Sequence, residues 1–352
     1  MDYGGARVLV TGGLGFIGSN LSIRLVERGA QVTIVDAAVP GCGANLQNIA
    51  PVANKVRLIP RDMADAEQFA SELEGVDVVF NLAGEISHMH SMKFPERDLH
   101  LNTLAQLRFL LVLRRISPGV RVVYASTRQV FGVPEYLPVD EEHRVQPVDF
   151  NGIHKYAASM YHMMLTRGGE IDAVVLRLTN VYGPRMALRI PCQGVLNVFL
   201  RRLLTGQRVT VYGDGGQLRD PLYVDDAVDA FLAAGAIASL PARTYNTGGP
   251  EPLSLLTIAS IASEAAGCDS PQLRPFPAEQ RAIDIGDYVA NVTRISRDLK
   301  WTPLVTFQDG IQRTIAYYRS ELSHYLDPDC PEPACDLPEH DGVPRRLTYL
   351  PI

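Results

Sequence analysis

Residues 6–37 read ARVLVTGGLGFIGSNLSIRLVERGAQVTIVDA. A short apolar run, ARVLV, leads into a glycine-rich turn, and the next stretch places apolar residues at helical spacing as far as Gly29. A second apolar run, QVTIV, follows at once. Strand, turn, helix and strand in that order make a βαβ unit, which requires a parallel pair and a right-handed crossover.

The alternation continues outward from this unit. KVRLIP and VDVVFNLAG read as strands, DLHLNTLAQLRFLLVLRRI as one long helix and VRVVYAST as another strand. DFNGIHKYAASMYHMMLTRGG reads as a helix, and DAVVLRLTNVYGP as a strand running into a loop. Short apolar strands separated by helices predict a doubly wound parallel α/β sheet. Past about residue 183 the pattern loosens into Pro- and Gly-containing loops between shorter helices, with a terminal amphipathic helix over 306–326. The expected organisation is a nucleotide-binding domain over 1–182 that includes the helix after residue 150. A smaller α/β substrate-binding domain is expected mainly over 183–326, with some segments returning to the first domain, and 327–352 reads as a Pro-rich acidic tail.

Composition narrows the function classes. Hydrophobic residues are 46% of the chain and charged residues 20%, the balance of a globular protein with a full core. A net charge of −6 argues against nucleic acid or an anionic membrane as the main partner. The five cysteines, Cys42, Cys192, Cys268, Cys330 and Cys335, form no CxxC pair, so neither a disulfide framework nor a metal site is expected. The first strand begins by residue 7, which leaves no room for a signal peptide, and a cytoplasmic location is expected. Lysines are scarce, only four (55, 93, 155 and 300), so a lysine inside a motif stands out.

The turn TGGLGFIG places Gly12, Gly15 and Gly18, with Phe16 and Ile17 between them, at a strand-to-helix junction. Glycines there let backbone approach a pyrophosphate, which the helix N-terminus attracts. Asp36 closes the next strand 18 residues after Gly18, where a carboxylate accepts hydrogen bonds from the adenosine ribose hydroxyls. It would repel a 2′-phosphate, and Ala37 and Ala38 offer no cation, so NAD is expected rather than NADP.

TGGLGFIG, NLAG (81–84), YASTRQVFG (124–132), Lys155, RLTNVYGPR (177–185) and RDPLYVDD (219–226) occur in this order. Over about residues 6–320 the chain resembles the extended short-chain dehydrogenase/reductases, and within them the nucleotide-sugar epimerases and dehydratases. The resemblance implies a Rossmann domain, tightly held NAD, a nucleotide diphosphate sugar in the cleft, and a homodimer formed through a helix pair, here 100–115 and 151–167. It also implies that Asp62 and Met63 line the adenine, that Leu82, Ala83 and Gly84 line the cofactor, and that Lys155 holds the nicotinamide ribose. Asn180 and Arg219 are implied to bind the diphosphate, with Arg281 and Asp284 as a later phosphate and ribose pair.

One position departs from the family. Its acid–base set is a Ser or Thr, a Tyr and a Lys; Thr127 and Lys155 match the first and last, but Asn151 stands where the tyrosine should be. Tyr156 is no substitute, because five helical residues rotate it about 140° from position 151. An asparagine orients a hydroxyl but cannot accept its proton, and losing a general base costs typically ~10²- to 10⁴-fold in rate. Glu85, directly after NLAG, is the leading replacement, with His88 and His90 on the same EISHMH loop and His154 three residues from Asn151 as others.

The dehydratases follow their Thr with Asp and Glu, and the decarboxylases keep the Glu; this chain has Arg128 and Gln129, which disfavours both chemistries. Arg128 also admits a sugar bearing an anion such as a carboxylate, though packing alone accounts for an arginine there. The expected activity is therefore NAD-dependent epimerisation of a nucleotide diphosphate sugar, at C4, through a non-standard acid–base group. The alternatives are net oxidation or reduction of such a sugar, or a protein that binds NAD and sugar nucleotide but has lost its chemistry.

Overall fold

The apolar runs form the strands expected of them. β1 (Arg7–Thr11), β2 (Gln31–Val35), β3 (Val56–Ile59), β4 (Val78–Asn81), β5 (Arg121–Thr127), β6 (Asp172–Leu178) and β7 (Thr244–Asn246) make one sheet. Its order is β3-β2-β1-β4-β5-β6-β7, and every neighbouring pair is parallel. Strand order reverses between β1 and β4, and an open α/β sheet forms its binding crevice at the carboxyl ends beside that point. This computed structural model describes residues 2–190, 194–237, 240–276 and 284–326. Cys192, Arg281, Cys330, Cys335 and the segment 327–352 lie outside the described residues.

β1 explains why helices cover both faces. Val8 and Val10 belong to one core cluster, while Leu9, between them, belongs to another. Alternate side chains of a strand point to opposite faces, so a strand with no polar interior residue must be covered on both. α1 (Phe16–Glu27) and α7 (Val224–Ala236) pack on one side, and α4 (Ala105–Ile116) supplies Phe109, Leu110 and Leu113 to the other.

Three local details differ from the sequence reading. The expected single helix over 98–116 is α3 (Pro95–Leu99) joined to α4 by a π-helical turn, His100–Leu104, a wider winding often found at functional sites. His88 and His90 are not on a loop: Ser87 caps a short helix, α2 (His88–Lys93), its Oγ accepting from the His90 amide at 3.2 Å. The terminal helix stops earlier, at Glu321, and a 3₁₀ turn follows over Leu322–His324. α5 (Phe150–Arg167) carries the lysine motif, with Asp149 as its cap.

Beyond residue 183 the chain forms α6 (Val195–Leu204), α8 (Leu255–Ala266), α9 (Thr293–Leu299), α10 (Phe307–Glu321) and small strand pairs. Thr210–Tyr212 pairs with Gln272–Arg274, and Leu218–Arg219 with Leu253–Ser254. Within the same region α7 returns to pack on α1 and the central strands, and β7 extends the main sheet beside β6. No helix among the described residues is long and apolar enough to cross a membrane.

Candidate active site

One cavity of about 460 Å³ runs along the carboxyl ends of β1, β2, β4, β5 and β6. Gly12, Gly15, Phe16, Ile17 and Gly18 form one end of its wall, with Asp36, Asp62 and Met63 beside them. The turn needs its glycines. Gly12 has φ +70°, and a Cβ there would stand 2.8 Å from the Ala83 nitrogen, while a Cβ at Gly18 would collide with the Gly12 carbonyl oxygen. α1 starts at this wall with no side-chain cap and no acidic residue in its first turn, which suits its N-terminus to an anion.

Asp36 accepts from the Leu14 amide at 3.0 Å and the Ala38 amide at 2.8 Å. A carboxylate offers about four acceptor sites, so it keeps capacity for ribose hydroxyls; burial pushes its pKa up against those two amides. The residues present thus fit NAD: an uncapped helix N-terminus for the pyrophosphate and an acceptor-only side chain at the end of β2.

Leu82, Ala83, Gly84, Thr127, Asn151 and Lys155 line the middle of the cavity. Gly84, at φ +155°, leaves room for two neighbours: a Cβ would collide with Asn102 Oδ1 and stand 3.2 Å from Lys155 Nζ. Burial pushes the Lys155 ammonium pKa down, while Asp98, Glu85 and Cys42 pull it up, and no carboxylate among the described residues is within ion-pair distance. Thr127 Oγ1 accepts from the Gln129 amide at 3.1 Å, which leaves its O–H free to donate.

Asn151 is held from behind. Its Nδ2 donates to Asp98 Oδ2 and to the Glu85 carbonyl oxygen, each at 3.0 Å. Both partners only accept, so the amide orientation is settled, and Oδ1 remains as its one uncommitted polar atom. Asp98, 1% exposed, also accepts from His154 Nδ1 at 2.7 Å. Asn151 and His154, three apart on α5, therefore share one buried carboxylate from α3.

This geometry corrects the reading of Glu85 as the replacement base. Glu85 is 2% exposed and does not line the cavity. Its Oε1 accepts from the Ile86 and Ser87 amides, and its Oε2 faces Cys42 Sγ at 3.4 Å and Arg97 Nη2 at 3.6 Å. A carboxylate so occupied holds the chain after β4 in place. His154 is committed to Asp98, and His90 is buried away from the cavity with neither ring nitrogen hydrogen-bonded.

His88 alone of the four candidates lines the cavity. Its Nδ1 lies 3.0 Å from Asp149 Oδ2, close enough for a charge pair although the ring is not turned into hydrogen-bond geometry. Asp149 also accepts from the Gly152 amide at 2.7 Å and from Gln129 Nε2 at 2.9 Å. Burial alone would raise the Asp149 pKa, but His88, Gly152 and Gln129 outweigh it and hold it low. The imidazole thus has an ionised carboxylate behind it and Nε2 left uncommitted.

At the far end stand Asn180, Arg128 and Arg219. Arg219 Nη1 donates to the carbonyls of Leu218 at 2.7 Å and Gly286 at 2.5 Å, and burial, with Arg128 nearby, pushes its pKa down to about 10. Asp284 is 3.6 Å from Arg219 Nη2 and sits behind it rather than on the cavity wall. Arg281, its expected companion, lies outside the described residues. Asn180 keeps a buried, unpartnered Oδ1.

The sequence reading missed Asp98 and Asp149. Asp98 lies 53 residues before Asn151, so no local pattern joins them. Asp149, two residues before Asn151, carried a visible signal as a helix cap but none as the partner of His88.

A profile of the NAD dependent epimerase/dehydratase family matches residues 8–248. The chain is 32% identical to a UDP-glucose 4-epimerase of Mycolicibacterium smegmatis, over 90% of this chain and 99% of that protein. It is 30% identical to UDP-glucuronic acid decarboxylase 1 of Xenopus tropicalis, over 90% of this chain and 73% of that one. Its fold matches a crystal structure of the Thermotoga maritima UDP-glucose 4-epimerase with UDP-glucose at a TM-score of 0.80, with 29% identity and coverage of 90% and 99% of the two chains. The chain belongs to the NAD-dependent epimerase/dehydratase family.

Proposed function

We propose that this protein is an NAD-dependent epimerase of a nucleotide diphosphate sugar, acting at C4. The observation that carries the reading is the single cavity that leads from the glycine turn, past Thr127 and Lys155, to Asn180 and Arg219. NAD, when bound, supplies a reversible hydride acceptor, which inverts a carbinol carbon when hydride returns to the opposite face. Residues 1–182 hold the cofactor, and Asn180 and Arg219 hold the diphosphate so that the sugar lies between the two. Thr127 donates a hydrogen bond to the reacting oxygen and Asn151 Oδ1 accepts one from a neighbouring hydroxyl of the sugar, so the pair orients the ring but neither removes the reacting proton.

His88 takes that proton and returns it. Of the titratable side chains proposed for the role it is the one that lines the cavity, with the Asp149 carboxylate 3.0 Å behind its Nδ1 to hold the ring. Lys155 fixes the cofactor, and its ammonium stabilises negative charge developing on the oxygen. NMR in D₂O with UDP-, GDP-, CDP- and dTDP-hexoses tests the reading: an epimer that retains hydrogen at the inverted carbon is expected. Release of NADH with each turnover would replace epimerisation by net oxidation. Binding of NAD and sugar nucleotide with no change in the sugar would leave a binding protein.

The same reading includes a homodimer. Leu104 and Leu111, on the segment leading through α4, are 36% and 42% exposed, and Ile153, Met160 and Met164 on α5 are 46%, 39% and 52% exposed. The α5 residues fall at i, i+7 and i+11, one stripe of a helix, beside α4. A second copy laying its own pair on this face buries both. Sedimentation is expected to give a dimer for the native chain and a monomer for Leu111→Glu with Met164→Glu; a monomeric native chain would sink the dimer.

A further inference from the structure

After α10 the chain turns through Leu322–His324 and reaches back to the segment 45–48, beside the glycine turn. Tyr325 is 2% exposed, and its hydroxyl lies 2.6 Å from Asn48 Oδ1. Asn48 is fully buried, and its Nδ2 donates to the Leu14 carbonyl at 2.8 Å. A carbonyl only accepts, so the amide orientation is settled and Tyr325 donates to Oδ1. The Tyr325 oxygen in turn accepts from Tyr317 at 2.7 Å.

Two neighbours repeat the connection. The Asn45 amide donates to the Leu14 carbonyl at 3.1 Å, and Asn45 Nδ2 donates to the His324 carbonyl at 3.0 Å. Gln47 Nε2 donates to Glu321 Oε2 at 3.3 Å. Residues 321–325 are thus tied to 45–48, and two donors from 45–48 meet on the carbonyl oxygen of Leu14. Leu14 stands between Gly12 and Gly15, and its own amide donates to Asp36 Oδ2 at 3.0 Å. One residue therefore joins the pyrophosphate turn to the carboxylate at the ribose position. α10 itself packs on α8 and α6, so this end of the chain is anchored outside the cofactor wall.

We propose that residues 321–325 form a strap that holds the glycine turn and Asp36 in the geometry that binds NAD, with Tyr325 as a positioning residue acting through Asn48 and Leu14. The chain of hydrogen bonds orders the turn before the cofactor arrives, and a preformed site binds more tightly because less ordering is left to the ligand. Phenylalanine at 325 keeps the ring but leaves Asn48 Oδ1 buried without its donor, and an unmet buried acceptor drives the amide to turn away from Leu14. The strap goes beyond the reaction assigned above and acts alike whether the sugar is inverted or oxidised.

Exchange of bound NAD against radiolabelled NAD tests the strap on the purified holoprotein. Tyr325→Phe is expected to release NAD about 10-fold faster than the native chain, the scale of one unmet buried acceptor. Tyr3→Phe is the matched control: Tyr3 is also 2% exposed, its hydroxyl donates to the Leu232 carbonyl at 2.8 Å, and it does not line the cavity. Both variants are expected to lower Tm, but only Tyr325→Phe to speed exchange. Native exchange in Tyr325→Phe would overturn the proposal. Equal acceleration in both variants would overturn it too, making the bond a matter of overall stability. If Tyr325→Phe does not fold, Gln47→Met cuts an outer tie and is expected to speed exchange about threefold; native exchange there sinks the strap equally. A native protein that holds no NAD would remove the cofactor assignment and the proposal with it.

Discussion

His88→Asn lowers kcat by about 10²- to 10⁴-fold while NAD and the sugar nucleotide still bind, the expected cost of removing a general base. Asparagine keeps a polar side chain at the start of α2 but has no titratable atom. His88 lines the cavity and has Asp149 3.0 Å behind it. Asp149→Asn should fall between His88→Asn and the native rate, because it keeps the helix cap while removing the carboxylate that stands against the ring. Single-turnover NMR of the inverted product measures the chemical step without product release. If turnover instead drops less than about threefold, far below the range of a lost base, the proton goes elsewhere, and Lys155 is the remaining titratable group in the middle of the cavity.

Asn151→Tyr, which installs the residue the family resemblance leads one to expect, should not raise turnover and should cost stability. Asn151 is 1% exposed, and its Nδ2 serves both Asp98 and the Glu85 carbonyl. The phenol O–H of the longer side chain stands beyond the place of Asn151 Nδ2, so Asp98 keeps His154 as its side-chain partner. Losing a hydrogen bond to a buried charged group costs about 1.5–3 kcal/mol, and the extra ring volume about 1–3 kcal/mol more unless it escapes into the cavity. A loss of about 3 kcal/mol, seen as a fall of several degrees in Tm, is the expected outcome by thermal and denaturant unfolding. A variant of native stability with a higher rate would show that Asn151 is a simple loss, and would remove the case for His88.

These expectations turn on how Asn151 is embedded. An isolated Asn in place of Tyr reads as damage, because the sequence shows only the missing phenol. Here the amide is oriented by a buried carboxylate that also binds His154 on the same helix. Substituting either partner alone would leave a buried acceptor or donor unmet, so the three residues form one structural unit.

The sequence by itself determined the sheet, the glycine turn and the residues that line the cavity beside it. Val8, Leu9 and Val10 are apolar with no alternation, which needs cover on both faces, and Gly12 and Gly18 occupy places where a side chain would strike backbone. Those signals are local: hydrophobic period, turn chemistry and spacing within one βαβ unit carry them. Thr127, Lys155, Asn180 and Arg219 were legible too, as ordered motifs, and they meet in one cavity because Thr127, Asn180 and Arg219 stand at or just after strand ends and α5 carries Lys155 to them.

Only the tertiary structure decided which way the polar side chains between those strands face. Of the candidates Glu85 and His88, three residues apart, backbone amides and Arg97 hold the first, and the second reaches the cavity wall because Ser87 starts a helix there. Asp98 entered the site from a segment with no motif, and Asp149, legible only as the cap of α5, proved to face His88. The physical reason is common to all of them. Hydrophobic burial follows a period along the chain, whereas the partner of a buried charge is chosen by distance in space, often across more than fifty residues of sequence.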